Sequence, residues 1–110
     1  MQRPLLRWIL GLMNVLTIVS ADVDQHRADD LTAEFQKLLD GGLPEGLLQT
    51  RLLADGQGHW AIHSQWRDRA ALDAMRAAAE PPAAPALFRR FAAVPTLVVM
   101  DILVDSADRP

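Results

Sequence analysis

Residues 58–75, GHWAIHSQWRDRAALDAM, decide the fold that the sequence predicts. In the first half of this stretch, residues 59–66, mainly polar and mainly apolar residues alternate, as in a β-strand with one covered face. The even-numbered side chains therefore share one face. The strand then passes through an Arg-Asp-Arg corner into a helix, whose first turn Asp68 is able to cap. We assign the face that carries Trp60, Ile62, Ser64 and Trp66 to the side of the strand covered by helices.

The neighbouring segments place this strand in a complete fold. Gly41-Gly42 ends a first helix, and Asp55-Gly56-Gln57-Gly58 joins two strands as an antiparallel hairpin, because glycine accepts positive φ. Pro81-Pro82 ends the second helix, and Pro85 opens a short third one. Strands are predicted at 14–23, 47–54, 59–66 and 96–104. This order predicts an α+β, ferredoxin-like βαββαβ fold with an antiparallel four-stranded sheet.

Composition narrows the functional classes. A chain of 110 residues has room for one domain with a single core. Its net charge of −3, single lysine and scattered arginines argue against nucleic acid as a partner. Because the chain has no cysteine, disulfides, thiolate nucleophiles and zinc–thiolate sites are excluded.

The N-terminal segment has two interpretations. Arg3 and Arg7 precede an apolar run, and Val19-Ser20-Ala21 has the small residues of a signal-peptide cleavage site, so a secretory leader is one alternative. We favour a cytoplasmic protein, because Asn14 interrupts the run and the same residues alternate as a strand. The run is also shorter than the roughly 20 residues that span a membrane, so no membrane association is predicted.

The last strand predicts an oligomer. It is apolar on both faces, whereas the helices of such a fold cover only one face of the sheet. A second copy of the sheet, related by a twofold axis, is the simplest cover for the other face. We therefore predict a homodimer through the sheet faces. The apolar residues are Val98, Met100 and Ile102 on one face and Leu97, Val99 and Leu103 on the other.

Two histidines on the predicted third strand have the spacing that would bind a metal ion on a helix. His59 and His63 are four residues apart, which on a strand separates them by about 13 Å. One ion cannot bind both side chains at that distance, and no metal site is predicted. His63 faces away from Trp66, so its predicted role is a hydrogen-bonded residue of the dimer interface.

Several short motifs together resemble the antibiotic biosynthesis monooxygenase (ABM) domain family of dimeric α+β barrels. The matching features are the Pro44-Glu45-Gly46 turn, Ser64-Gln65-Trp66 at the end of a strand, and the helix opening at 68–75. A proline-punctuated third helix that leads into the last strand also matches. The resemblance covers residues 13–104, which we take as the domain, with residues 1–12 as an extension or arm and 105–110 as a tail.

The resemblance implies a small apolar or aromatic ligand between the sheet and the helices, near Trp66. Members of the family include oxygenases of polycyclic phenols and quinols that use no cofactor, and haem-degrading enzymes. An oxygenase of this kind needs no metal or cofactor if its substrate forms a carbanion that reduces dioxygen directly. The protein then supplies an apolar cavity and stabilises the anion.

This sequence departs from both branches of the family. Ile62 stands where the best-known oxygenase has an asparagine, and the second helix lacks the histidine that binds haem iron in the haem-degrading members. Asn14 resembles a functional asparagine of those members, and it could donate to a ligand carbonyl or only satisfy the end of a strand. The pocket residues that we predict from the residue pattern and the resemblance together are Trp66, Asn14, Ser64, Ile62, Trp60, Met75, Phe88, Arg89 and Arg90.

None of these residues identifies a catalytic group. Ser64 has no histidine on its strand face to activate it, so its predicted role is a hydrogen bond to a ligand. Arg89 or Arg90 could stabilise a phenolate at the pocket mouth or belong to a solvated face. Asp101, among apolar residues, could act as a base with a raised pKa or pair with Arg51.

Two functions follow from the sequence. The first is a cofactor-independent monooxygenase of a small aromatic or quinol-type substrate. The second is a dimeric module without enzymatic activity that binds a small ligand or has a structural role, and it is favoured by Ile62. Haem binding is a third, less favoured interpretation.

Overall fold

The computed structural model describes residues 13–108, so the predicted arm at residues 1–12 lies outside the described part of the chain. An antiparallel four-stranded sheet has the order β2-β3-β1-β4. This topology confirms the predicted ferredoxin-like α+β fold. The elements are β1 (Val15–Asp22), α1 (Ala28–Asp40), β2 (Leu47–Ala54), β3 (His59–Trp66), α2 (Arg69–Ala77), α3 (Ala83–Arg90) and β4 (Thr96–Asp101), with short 3₁₀ turns at Gln25–Arg27 and Ser106–Asp108.

The helices cover one face of the sheet, which we call the covered face, and leave the opposite, open face. On β3 the covered face carries the predicted residues: Trp60 is 4% exposed, Ile62 1%, Ser64 7% and Trp66 4%. A core joins this face to α1 and α3 through buried residues such as Leu31, Leu87 and Phe88. The strand alternation in the sequence therefore predicted correctly which side chains are buried.

The register aligns three rows of side chains across the covered face. The central row contains Thr50, Ser64, Thr17 and Val99, one from each strand. An apolar row of Leu52, Ile62, Val19 and Leu97 lies on one side of it. Trp66, Val15 and Asp101 lie on the other side.

Helix α2 begins as predicted and ends earlier. The Asp68 side chain accepts a hydrogen bond from the Ala71 N–H at 2.9 Å, which caps the first turn. The helix ends at Ala77, and Ala78 is already extended, whereas the sequence placed its end at the Pro81-Pro82 pair. The predicted end of this helix is therefore wrong. α3 starts at Ala83, two residues before Pro85.

Strand β4 is shorter than predicted. It ends at Asp101 rather than at residue 104, because Asp101 pairs with Val15, the first residue of β1. One further hydrogen bond, from the Ile102 N–H to the Asn14 carbonyl at 2.9 Å, continues the pairing. Leu103 and Val104 have no strand partner and are exposed.

Ala92 adopts the left-handed conformation that ends α3. Its φ is +59°, and the Ala93 N–H donates to the Phe88 carbonyl at 3.1 Å, as at many helix ends with glycine in this position. Since a Cβ in this conformation costs about 1–2 kcal/mol, we expect Ala92→Gly to stabilise the fold by about 0.5–1 kcal/mol, net of the flexibility of glycine. Urea unfolding measures the change. The same substitution at exposed Ala74 inside α2 should have the opposite sign, and destabilisation by Ala92→Gly would contradict this account.

Within residues 13–108, no helix combines the length and the apolar character that crossing a bilayer requires.

Candidate functional site

A cavity of about 440 Å³ lies between the covered face of the sheet and the helices. Its size falls within the range of small-molecule sites, about 300–1,000 Å³. The floor is formed by β1, β2 and β3 with Leu97 of β4, and the walls by α1, α2, the first turn of α3 and the segments that follow α1 and α2. The apolar side chains of the lining include Val19, Phe35, Leu38, Leu43, Leu47, Ile62, Trp66, Leu72 and Met75.

The central row gives the apolar cavity a polar floor. Thr50 Oγ1 and Ser64 Oγ are 2.9 Å apart, so one hydroxyl donates to the other. The Trp66 Nε1–H donates to Thr17 Oγ1 at 3.2 Å, and the Thr17 hydroxyl donates to the Ser64 carbonyl at 3.5 Å. These bonds fix the indole of Trp66 against the floor and leave its ring as part of the wall.

Two charged side chains, Arg76 and Glu80, belong to the lining, and both are exposed. Arg76 lies in the last turn of α2, and Glu80 lies just before Pro81-Pro82. Within the described part of the chain, neither forms an ion pair with another residue. The charged groups of the lining are therefore at its solvent side, and the floor is neutral.

Four of the nine predicted pocket residues line this cavity. They are Ile62, Ser64, Trp66 and Met75. β3 supplies the first three from its covered face, and α2 supplies Met75, which packs against the cluster of Val15, Trp66 and Leu72. Their contact with a ligand stays a prediction.

The Asn14 side chain lies away from the cavity. It precedes Val15, which is fully buried on the covered face, so the Asn14 side chain belongs to the opposite side of β1. Its amide donates to the Arg67 carbonyl at 2.8 Å and accepts from Gln65 Nε2 at 2.9 Å. Asn14 therefore fastens β1 to the end of β3 and does not line the cavity, which differs from the prediction.

Four further predicted residues also lie away from the cavity lining. Trp60 is packed in the core, where its Nε1–H donates to the Val23 carbonyl at 3.1 Å. Phe88 is fully buried in the same core. Arg89 and Arg90 are exposed, and Arg90 lies 3.6 Å from a Glu34 carboxylate oxygen.

Asp101 pairs with a different arginine from the one that the sequence indicated. Arg69 Nη2 lies 3.3 Å from Asp101 Oδ1, since α2 begins over this end of the sheet. Arg51 pairs in register with His63 and lies with it on the open face. The predicted pairing of Asp101 with Arg51 is therefore wrong.

Among the described residues, the cavity lining offers a haem iron no histidine, cysteine or tyrosine, and Met75 is the one axial ligand type that it contains. The three histidines of the chain, all in the described part, lie outside the lining. His26 bonds Asp24, His59 bonds Asp22 at 2.8 Å, and His63 is half-buried on the open face. The chain also has no cysteine and no tyrosine, the other usual anionic haem ligands.

An ion pair holds the turn that leads into β2 against the end of β3. Arg67 donates from both terminal nitrogens to the two carboxylate oxygens of Glu45. These hydrogen bonds lower the pKa of Glu45 and raise the pKa of Arg67. The Arg67 N–H also donates to the Gly46 carbonyl at 2.8 Å. The turn is thereby fixed beside Leu47, which lines the cavity.

Sequence reasoning missed Thr17, Thr50 and Arg76 as cavity residues. Thr17 lies in the predicted first strand and Thr50 in the second, and each lies on the covered face and borders Ser64. The even-numbered alternation of β2 could have indicated Thr50. Arg76 is one residue after Met75 in α2, and no sequence signal distinguishes it from a solvated arginine.

Comparisons with solved structures show the same fold. A Caulobacter crescentus protein assigned to the antibiotic biosynthesis monooxygenases is 17% identical, with a TM-score of 0.66 over 86% of this chain and 93% of that one. A haem-degrading protein of Mycobacterium tuberculosis, with two haems in its active site, is 19% identical, with a TM-score of 0.62 over 83% and 97%. A Nitrosomonas europaea protein of unknown function is 16% identical, with a TM-score of 0.63 over 86% and 94%.

The sequence comparison is more specific. No curated protein matches the chain. The sequence profile of the antibiotic biosynthesis monooxygenase family matches residues 14–92, which contain β1, β2, β3 and all three helices. The chain therefore belongs to the antibiotic biosynthesis monooxygenase family.

Proposed function

We propose that the chain is a cofactor-independent monooxygenase that oxidises a small aromatic or quinol-type substrate in the cavity beside Trp66. Family membership supports a general monooxygenase or small-ligand-binding role. One observation carries the finer proposal: the 440 Å³ cavity combines apolar walls with a short polar floor. Such a site binds a planar apolar molecule and orients one polar group on it.

The oxidation that suits this cavity requires few catalytic groups from the protein. A substrate C–H acidified by a neighbouring carbonyl or phenol loses a proton, and the resulting carbanion gives an electron to dioxygen. The carbon radical and superoxide recombine to form a C–O bond, and the resulting peroxide anion takes up a proton. Cleavage of the O–O bond of this hydroperoxide releases water and leaves a new carbonyl. Apolar walls that exclude water strengthen every electrostatic interaction with the anion. The polar floor and the rim residue Arg76 are the groups that favour it.

Two tryptophans offer a matched test. Trp66 and Trp60 are each 4% exposed, and each indole N–H makes one hydrogen bond, at 3.2 Å and 3.1 Å. Only Trp66 lines the cavity. In oxygen-consumption assays with anthrones and quinols, we expect Trp66→Phe to lower kcat/KM by about tenfold or more, because the indole positions the substrate. Trp60→Phe should stay within about twofold of wild type.

Both variants lose a buried hydrogen bond, so both should lose a similar free energy of unfolding, about 1–2 kcal/mol. Equal losses of kcat/KM in the two variants would assign the effect to stability and not to the cavity. No oxygen consumption with any anthrone or quinol would contradict the monooxygenase proposal itself.

A second candidate function is ligand binding without catalysis. The specific observation is the neutral floor: Ile62 is 1% exposed there, and the titratable residues of the lining are Arg76 and Glu80 at the solvent side. The cavity floor thus lacks a base that would remove a substrate proton. Saturable binding of an anthrone under air, without oxygen uptake, would favour this function over the first.

The open face supports a homodimer, and members of the family are typically dimers. Exposed apolar side chains on this face include Leu53, which is 38% exposed, Val98, 41%, and Met100, 55%. Ile18 lies at its centre on β1, paired with His63 and Val98. A second copy packed on this face would remove these side chains from water.

We expect Ile18→Asp to weaken the dimer by at least about a hundredfold, since it replaces an apolar side chain at the centre of the interface by a carboxylate in each copy. Sedimentation velocity at micromolar concentration measures the change. Thr32→Asp, on the exposed side of α1, is the control and should remain dimeric. A monomeric wild-type chain at that concentration would overturn the dimer proposal.

A further inference from the structure

We propose that Thr50 and Ser64 form one shared hydroxyl donor, and that the cavity consequently selects aromatic ligands carrying an acceptor oxygen, such as a ketone, quinone or phenolate. The inference rests on the proposed function in one respect, namely that the cavity binds an aromatic compound. It adds which oxygen-bearing class is preferred and which atoms recognise it.

The polar hydrogens of the cavity floor outnumber their protein acceptors by one. The floor has four: the hydroxyls of Thr17, Thr50 and Ser64, and the indole N–H of Trp66. The Trp66 hydrogen goes to Thr17 Oγ1, and the Thr17 hydrogen goes to the Ser64 carbonyl. One hydrogen of the Thr50–Ser64 pair lies between the two oxygens. The fourth hydrogen has no acceptor among the described residues.

The surroundings decide where that fourth hydrogen points. On one side of the Thr50–Ser64 pair, the adjacent row carries Leu52 and Ile62. On the other side along β3 lies the indole of Trp66. These side chains offer no acceptor. Thr50 and Ser64 both line the cavity, so a ligand there is able to accept this hydrogen. A donor in an apolar site binds an acceptor more favourably than it would in water. A hydrocarbon ligand would leave this donor unsatisfied.

Either hydroxyl of the Thr50–Ser64 pair is able to donate to the ligand, so single and double variants should behave differently. If Ser64 loses its hydroxyl, the Thr50 hydrogen no longer has a protein acceptor and is free for the ligand. The converse holds if Thr50 loses its hydroxyl. Single variants should therefore retain the preference for an acceptor oxygen, and only the double variant Thr50→Val/Ser64→Ala should lose it.

Two probes that differ by one carbonyl test this, 1-tetralone and tetralin, with dissociation constants measured by isothermal titration calorimetry. For 1-tetralone, we expect the double variant to raise Kd about three- to tenfold, the effect of one hydrogen bond. Each single variant should change it by less than about twofold. For tetralin, all three variants should remain within about twofold of wild type, because tetralin makes no use of the donor.

The open face supplies a matched control. Ser20 Oγ and Thr96 Oγ1 form a second cross-strand hydroxyl pair, 3.2 Å apart, on the opposite side of the sheet. The variant Thr96→Val/Ser20→Ala makes the same two chemical changes and should leave both dissociation constants unchanged.

The outcomes separate the two proposals. If both probes bind and Thr50→Val/Ser64→Ala changes their dissociation constants equally, the donor inference is wrong while ligand binding stands. An unchanged Kd for 1-tetralone in the double variant has the same meaning. If neither probe binds the wild-type chain, the binding cavity fails and the donor inference fails with it.

Discussion

Gly46→Ala is expected to destabilise the fold by about 2–5 kcal/mol, a large part of the stability of a small domain. The residue lies within a tight turn in which the Leu47 N–H donates to the Pro44 carbonyl at 3.1 Å. Its φ of +86° matches the third residue of a type II turn, where glycine is favoured. Forcing a side chain into this conformation costs about 1–2 kcal/mol.

Steric overlap adds the larger part of the effect. A Cβ on Gly46 would lie 2.4 Å from the Cβ of Ala71, which is buried in the first turns of α2. The turn and the helix must therefore separate, and overpacking of this kind costs about 1–3 kcal/mol. The separation would also strain the Glu45–Arg67 ion pair and displace Leu47 from the cavity wall.

Gly56 provides the control for this prediction. It has a similar φ of +81°, yet a Cβ there would meet nothing within 4 Å. Gly56→Ala should lose only the conformational part, about 1–2 kcal/mol. Adding Ala71→Gly to Gly46→Ala should recover part of the loss. Urea unfolding measures all three, and equal losses for Gly46→Ala and Gly56→Ala would contradict the close approach of turn and helix.

Met75→Trp is expected to reduce kcat/KM for an active anthrone or quinol by about tenfold or more. Met75 is half-buried, lines the cavity and packs beside Trp66 and Leu72. An indole at this position would occupy space that the substrate needs, and small misplacements of a substrate cost large factors in rate. Because the added ring enters an existing cavity, overpacking of the core should be limited.

Ala74→Trp is the matched control on the same helix. Ala74 is exposed and does not belong to the lining, so the same bulky ring should remain in solvent. We expect its kcat/KM to stay within about twofold of wild type in steady-state oxygen consumption. Unchanged kcat/KM in Met75→Trp would exclude this cavity as the place of reaction.

The sequence predicted the fold well where turn chemistry bounds an element. β2 and β3 match their predicted residues, since Pro44-Glu45-Gly46 precedes them and Asp55-Gly56-Gln57-Gly58 joins them. β4 was predicted too long, because apolar composition continues past Asp101 whereas its partner β1 does not. α2 was predicted too long, because alanine favours helix locally while the chain must turn toward α3.

The candidate site was only partly predictable. Alternation along β3 is a local property, and it placed Ile62, Ser64 and Trp66 on the covered face correctly. The hydroxyl row depends on the register between β1, β2 and β3, which no single strand encodes. The family resemblance put Asn14 in the pocket, although it is the neighbour of Val15 and therefore belongs to the opposite face of β1. In the structure, its side chain lies on that opposite face.

Nuclear Overhauser contacts between bound 1-tetralone and the wild-type chain would show directly whether the ligand binds in the cavity beside Trp66. We expect contacts from the ligand ring to the indole protons of Trp66 and to the methyl groups of Met75 and Leu72, all of which line the cavity. Contacts confined to the open face, such as to Ile18 or Met100, would contradict the assignment of the cavity beside Trp66 as the ligand site.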